Sequence, residues 1–227
     1  MILEGINIVI EKTGRRKTVS IFIERDGSVR VLAPLTIDDE KIESAIRARE
    51  YQIFKKLAKW KELNEGKVIR AFVNGQSFLY LGRNYRLSII EDAVTPLRIS
   101  GGHFLLDRKL LDDADKVFKQ FYKEKTKEKI TERLKLITEK FQTKPAFIKV
   151  LELQNRWASC TPKNGLNFHW KCAMAPVPVI DYIITHEMIH LTNPNHSPAF
   201  WNELDKKMPN YREYENWLKL NGVKLNL

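Results

Sequence analysis

Apolar and polar residues alternate early in the chain, and the period of the pattern then changes twice. Val19, Ile21 and Ile23 alternate with polar neighbours, Asp26-Gly27 follows, and Val29 and Val31 resume the alternation. Period-two patterning on both sides of Asp-Gly predicts a β-hairpin, which Pro34 ends. From Asp38, a helix-capping residue type, Ile42, Ile46, Ile53, Leu57 and Trp60 recur at helical spacing until Asn64-Glu65-Gly66. One helix is expected there. Turns at Asn74-Gly75, Gly82-Arg83-Asn84 and Gly101-Gly102 then separate short predicted strands at 78–81, 85–90, 97–99 and 104–106.

Helical spacing returns after Asp112-Asp113. Ala114, Val117, Phe118, Phe121, Ile130, Leu134, Ile137 and Phe141 form an apolar stripe, read as core, and Pro145 ends that helix. Strands are expected at 147–153 and 166–171, with a turn at 161–165 between residues 156–160 and the second strand. Pro176 or Pro178 suits the first turn of a helix that runs to about Leu191, where Asn193-Pro194 breaks it. Two short helices follow, near 198–206 and 211–220. The expected class is α+β: a β-rich N-terminal region with hairpins and one helix over 1–108, then a helical domain with a small antiparallel sheet over 109–227.

Composition narrows the setting. The 227 residues are 43% apolar and 30% charged, the balance of a globular protein with one large core or two small ones. No apolar run reaches the roughly 18 residues that span a bilayer; Val177 to Ile184 is interrupted by Pro178 and Asp181. Met1-Ile2-Leu3-Glu4-Gly5 lacks the features of a signal peptide. A cytoplasmic protein without a membrane partner is expected. Cys160 and Cys172 form no C-x-x-C pair, which excludes a four-thiolate zinc site and predicts free, buried thiols. The net charge of +11 would suit an acidic partner such as nucleic acid. Basic residues concentrate at Lys12 to Lys17 and Lys123 to Lys144, and the second stretch alternates with Glu as a solvated helix face does. Charge alone gives nucleic acid only weak support as a partner.

The candidate chemistry lies in His186-Glu187-Met188-Ile189-His190. On a helix, residues four apart share a face, so both imidazoles can reach one ion. Glu187, one step round, can reach water activated there without being a ligand. Val179, Ile180, Ile183, Ile184, Met188 and Ile189 make the helix apolar nearly all round. Buried titratable groups need partners, and a cation would supply one. A catalytic zinc takes three protein ligands and keeps an open position. His196, after the break at Asn193-Pro194, is the favoured third ligand because imidazole suits zinc and the turn is tight. Glu203 on the next helix is its main rival, and Glu213 a further one.

These residues resemble a known family. Arg156-Trp157-Ala158-Ser159-Cys160, Trp170-Lys171, Met174-Ala175-Pro176, His186 to His190 and His196-Ser197-Pro198-Ala199-Phe200-Trp201 look like the YgjP-like metallopeptidases, a family of predicted metal-dependent hydrolases. Arg15-Arg16-Lys17, Val31 to Pro34 and Tyr80-Leu81-Gly82 fit its pattern more weakly. Ala158 stands where the family has glycine. The resemblance implies a zincin-like catalytic domain with zinc on His186, His190 and His196, a catalytic Glu187, and remote kinship with SprT-like proteases, which act on proteins crosslinked to DNA. The spacing to His196 also matches the metzincin pattern, with Asn193 in place of its glycine, a position that Pro194 biases towards extended geometry.

The mechanism expected from this ligand set is hydrolysis by zinc-activated water with Glu187 as general base. Arg156, His169, Tyr211 and Tyr214 are candidates for oxyanion or substrate contacts. The strand at 166–171 could pair with an extended peptide substrate. Trp157, Trp170 and Trp201 are read as packing, and 198–201 as the segment that docks the last ligand. The readings in play are a peptidase acting on peptides or proteins, a nucleic-acid-associated protein, and a non-peptide zinc hydrolase.

Overall fold

A computed structural model describes residues 2–3, 6–14, 17–24, 27–64, 70–91, 93–153 and 156–227. Arg15, Arg16, Asp26, Glu65 and Gly66, on which parts of the sequence reading fall, lie outside the described residues. The chain forms two compact units, Met1–Lys67 and Val68–Leu227.

The first unit begins with β1 (Ile2–Leu3), β2 (Ile6–Thr13), β3 (Ser20–Ile23) and β4 (Val29–Pro34), in sheet order β1-β2-β4-β3. The expected hairpin is present as β3 against β4, with Ile21 opposite Val31. β2, which lies parallel to β4, was not read from the sequence although Ile6, Ile8 and Ile10 alternate. The expected single helix is two, α1 (Asp39–Arg47) and α2 (Glu50–Asn64), broken at Ala48-Arg49, where the N–H of Arg49 bonds back to Ile46. Neither proline nor glycine marks that break. Ile8, Val29, Val31, Ile42, Ile46 and Ile53 form this unit's core.

The second unit starts with β5 (Ser77–Tyr80), β6 (Arg83–Ile90), β7 (Leu97–Ser100) and β8 (His103–Asp107), in order β5-β6-β8-β7. A 3-10 turn at Arg108–Asp113 leads into the long helix α3 (Ala114–Thr138). Alternate residues of the sheet, Phe78, Leu87, Phe104 and Leu106, pack in one core with Phe118 and Tyr122 of α3. The strands over 77–107, grouped by the sequence pattern with the N-terminal region, therefore share their core with the helical part. Next come β9 (Phe147–Leu151), β10 (Ala158–Cys160) and β11 (Gly165–His169), in order β10-β11-β9. This sheet is mixed rather than antiparallel, because β9 runs parallel to β11. A 3-10 turn at Trp170–Met174 precedes α4 (Val177–His190), and α5 (Pro198–Lys207) and α6 (Tyr211–Asn221) finish the fold. The α+β class stands as expected.

Three contacts fix the entry to α4. The two-residue turn Leu81-Gly82 between β5 and β6 has φ of 48° and 79°, and its N–H groups donate to Ala173 O (2.8 Å) and Met174 O (3.0 Å). A Cβ on Gly82 would lie 2.7 Å from Cγ and 3.0 Å from Cα of Pro176, so only glycine lets the turn dock. Thr126 Oγ1 on α3 donates to Trp170 O (2.6 Å) and accepts from Ala173 N (3.2 Å). Arg133 on α3 then grips Asp181 of α4 through two bonds of 2.7 Å. Asp181, which interrupts the apolar run in sequence, is thus the tie between the two helices.

Candidate metal centre

The three histidines converge. His186 and His190 share a face of α4, and His196 returns from the segment after Pro194, so that one ring nitrogen of each lies within 4.8 Å of the other two. His196 Nε2 stands 3.0 Å from His186 Nε2 and 3.2 Å from His190 Nε2. Two imidazoles on a tetrahedral zinc, at about 2.0–2.1 Å each, would stand about 3.3 Å apart. The donor set and its spacing fit such an ion. His190 Nδ1 donates to Asn193 O at 2.9 Å, which leaves its Nε2 lone pair facing the other two rings. His186 Nδ1 is buried without a hydrogen-bond partner among the described residues. Burial, helped by His190 and His196, pushes the His186 pKa down to about 3, so the ring stays neutral and able to ligate.

Glu187 is buried beside this cluster, 7% exposed, and its Oε2 has no hydrogen-bond partner among the described residues. Burial raises its pKa to about 7, against the opposing pull of the Cys160 backbone N–H and of the Arg156 guanidinium. β10 therefore touches the general-base candidate directly. Trp157 O accepts from His169 N, and Thr161 N donates to Gly165 O, so residues 157, 159 and 161 face β11 while Ala158 and Cys160 turn their backbone away from it. β10 is an edge of its sheet.

That corrects the expected substrate strand. β11, the strand read at 166–171, is paired on both sides, by β10 and β9, and has no free edge to offer. The missed signal was topological: the parallel return of β9 onto β11 has no short-range trace in the sequence.

The remaining candidates separate. Arg156 is exposed two residues before β10. His169 is buried, its Nδ1 accepts from Lys171 N (3.0 Å), and its Nε2 faces Glu152 at 4.0 Å, so the ring caps the 3-10 turn. Glu203 pairs with Lys207 at 3.4 Å and is not among the converging ligand atoms. Glu213 is exposed in the first turn of α6, and Tyr214 is half-buried, packed against the main core. Tyr211 is buried and stacks on Trp201. Two neighbours in the 198–201 segment surround the histidines. The ring of Phe200, fully buried, lies 4.6–4.8 Å from all three imidazoles. Trp201 stacks on His196 and donates from Nε1 to its carbonyl at 3.2 Å. Cys160 and Cys172 are free thiols; Cys172 is fully buried, which raises its pKa to about 12. Among the described residues no helix is long and apolar enough to cross a membrane.

A family model described as YgjP-like, metallopeptidase domain, matches residues 17–221. No curated protein matches the chain. Among solved structures, the metallopeptidase zymogen of Pyrococcus abyssi abylysin is similar at 18% identity, with a TM-score of 0.39, over 42% of this chain and 96% of that one.

Proposed function

The chain belongs to the YgjP-like metallopeptidase family, and from that premise we propose that it is a zinc-dependent peptidase with His186, His190 and His196 as ligands and Glu187 as general base. The observation that carries this reading is the convergence of three imidazole nitrogens beside a buried carboxyl oxygen that has no hydrogen-bond partner among the described residues. Zinc held there would supply Lewis acidity, making water nucleophilic near neutral pH and polarising a carbonyl.

The protein's own groups do the rest. Glu187, with its pKa raised to about 7, can take a proton from the attacking water and return it to the leaving amine. The Cys160 N–H on β10 favours the charged form of that carboxyl. The Ala158 backbone and the Cys160 carbonyl, turned outward on the edge strand, are where an extended peptide would add itself. Arg156, exposed two residues before that strand and close enough to Glu187 to act on its charge, is a substrate-contact candidate. Main-chain pairing along β10 favours a peptide over a small ester.

Glu187→Gln tests the assignment. The variant should bind zinc with wild-type stoichiometry, while turnover of a peptide library falls on the order of 10² to 10⁴-fold. Unchanged turnover would remove Glu187 from the chemistry. Anomalous scattering at the zinc edge tests the ligand set, and density on any side chain other than the three histidines would revise it.

A further inference from the structure

His196 differs from the other two ligands. His186 and His190 are fixed by a buried helix, whereas His196 is exposed and follows the break at Asn193-Pro194. A ligand on such a segment must be held in place, or binding has to order it at the expense of affinity. Phe200 packs against the His196 ring at 4.7 Å, and Trp201 adds the 3.2 Å bond to the His196 carbonyl and ring stacking at 5.6 Å and 30°. Trp201 is itself only half-buried. It stacks in turn on Tyr211 at 5.8 Å and 25°. Tyr211 is 5% exposed and opens α6; its N–H bonds to Met208 O, the Arg212 guanidinium lies 5.7 Å from its ring centre, and its hydroxyl accepts from Arg212 Nε at 3.3 Å. The hydroxyl is thus engaged by Arg212, and the ring is what faces the indole.

We propose that the ring of Tyr211, acting through Trp201, is the positioning element that holds His196 in ligand position, so that α6 sets the metal affinity of a site to which it contributes no ligand. This rests on the reading of His186, His190 and His196 as the ligand set. It assigns Tyr211 to the ligand's support and not to the oxyanion.

The test is a set of zinc dissociation constants measured by chelator competition on full-length protein, with the visible spectrum of the cobalt-loaded form reporting coordination geometry. Tyr211→Phe keeps the ring and loses the hydroxyl, and its Kd should stay within about twofold of wild type. Tyr211→Leu loses the stack and should weaken binding by about 10-fold or more, with Trp201→Leu costing between about 10- and 100-fold. The double variant should bind no worse than Trp201→Leu alone, because Tyr211 acts through the indole. In a His196→Ala background, Tyr211→Leu should leave the residual affinity unchanged, whereas general damage to the fold would still lower it. If Tyr211→Leu proves unstable, Tyr211→Met, whose flexible side chain refills the space without a ring face, reads the same link, and a wild-type Kd for it would equally overturn the proposal. Wild-type Kd for a folded Tyr211→Leu, or additive losses in the double variant, would overturn the proposal. A wild-type protein that binds no zinc would instead defeat the ligand assignment itself.

Discussion

Glu187 and His186 are neighbours in sequence, and the same burial perturbs them in opposite senses. Without metal, His186 is neutral in the folded state down to about pH 3, while an unfolded histidine takes a proton below about 6.5. Stability contributed by the neutral ring is therefore lost as pH falls from about 6.5 towards 3. Glu187 keeps its proton up to about pH 7, while an unfolded glutamate gives it up near 4.5, so its contribution is lost as pH rises through that window. Thermal melts of chelator-treated Glu187→Gln and wild type should then diverge with pH. The variant should gain on wild type at pH 8 relative to pH 4, by about 3 kcal/mol at most for the shift from 4.5 to about 7. An equal difference at both pH values would show that burial does not act on this carboxyl. At this scale the sequence was informative where spacing alone decides: His186, Glu187 and His190 follow from helix geometry. Phe200 against all three imidazoles, and the stack from His196 to Tyr211, depend on how α5 and α6 fold back, which no local pattern encodes.

Among the elements, the turn Leu81-Gly82 couples one sheet to the helix that carries the site. Gly82→Ala combines a left-handed φ with contacts of 2.7 and 3.0 Å to Pro176. It should cost about 2 kcal/mol or more in denaturant melts and displace the start of α4. Gly75→Ala is the control: its φ of 86° is also left-handed, but nothing lies within 4 Å of the added carbon. Equal losses in the two variants would mean that docking against Pro176 contributes nothing. The motif Tyr80-Leu81-Gly82, a weak match in sequence, thus has a physical reason in the structure. Element types and most boundaries were legible because hydrophobic period and turn residues agree. The break at Ala48-Arg49 and the pairing partners of β2 and β11 were not, because the first has no breaking residue and the others are set by long-range contacts.

At the level of the whole molecule, each compact unit has a core of its own, and all three histidines, Glu187, Trp201 and Tyr211 belong to the second. A chain of residues 68–227 should therefore fold in one cooperative transition and bind zinc with the affinity of the full chain. A fragment that fails to fold, or folds and binds zinc much more weakly, would contradict this division.

The outward edge of β10 has one more consequence. An unpaired strand edge is open to another copy of the same strand, the usual route to self-association and aggregation. Here the exposure is small. β10 has three residues, and only the backbone of Ala158 and Cys160 turns outward. Size-exclusion chromatography at rising protein concentration should therefore show little self-association through β10.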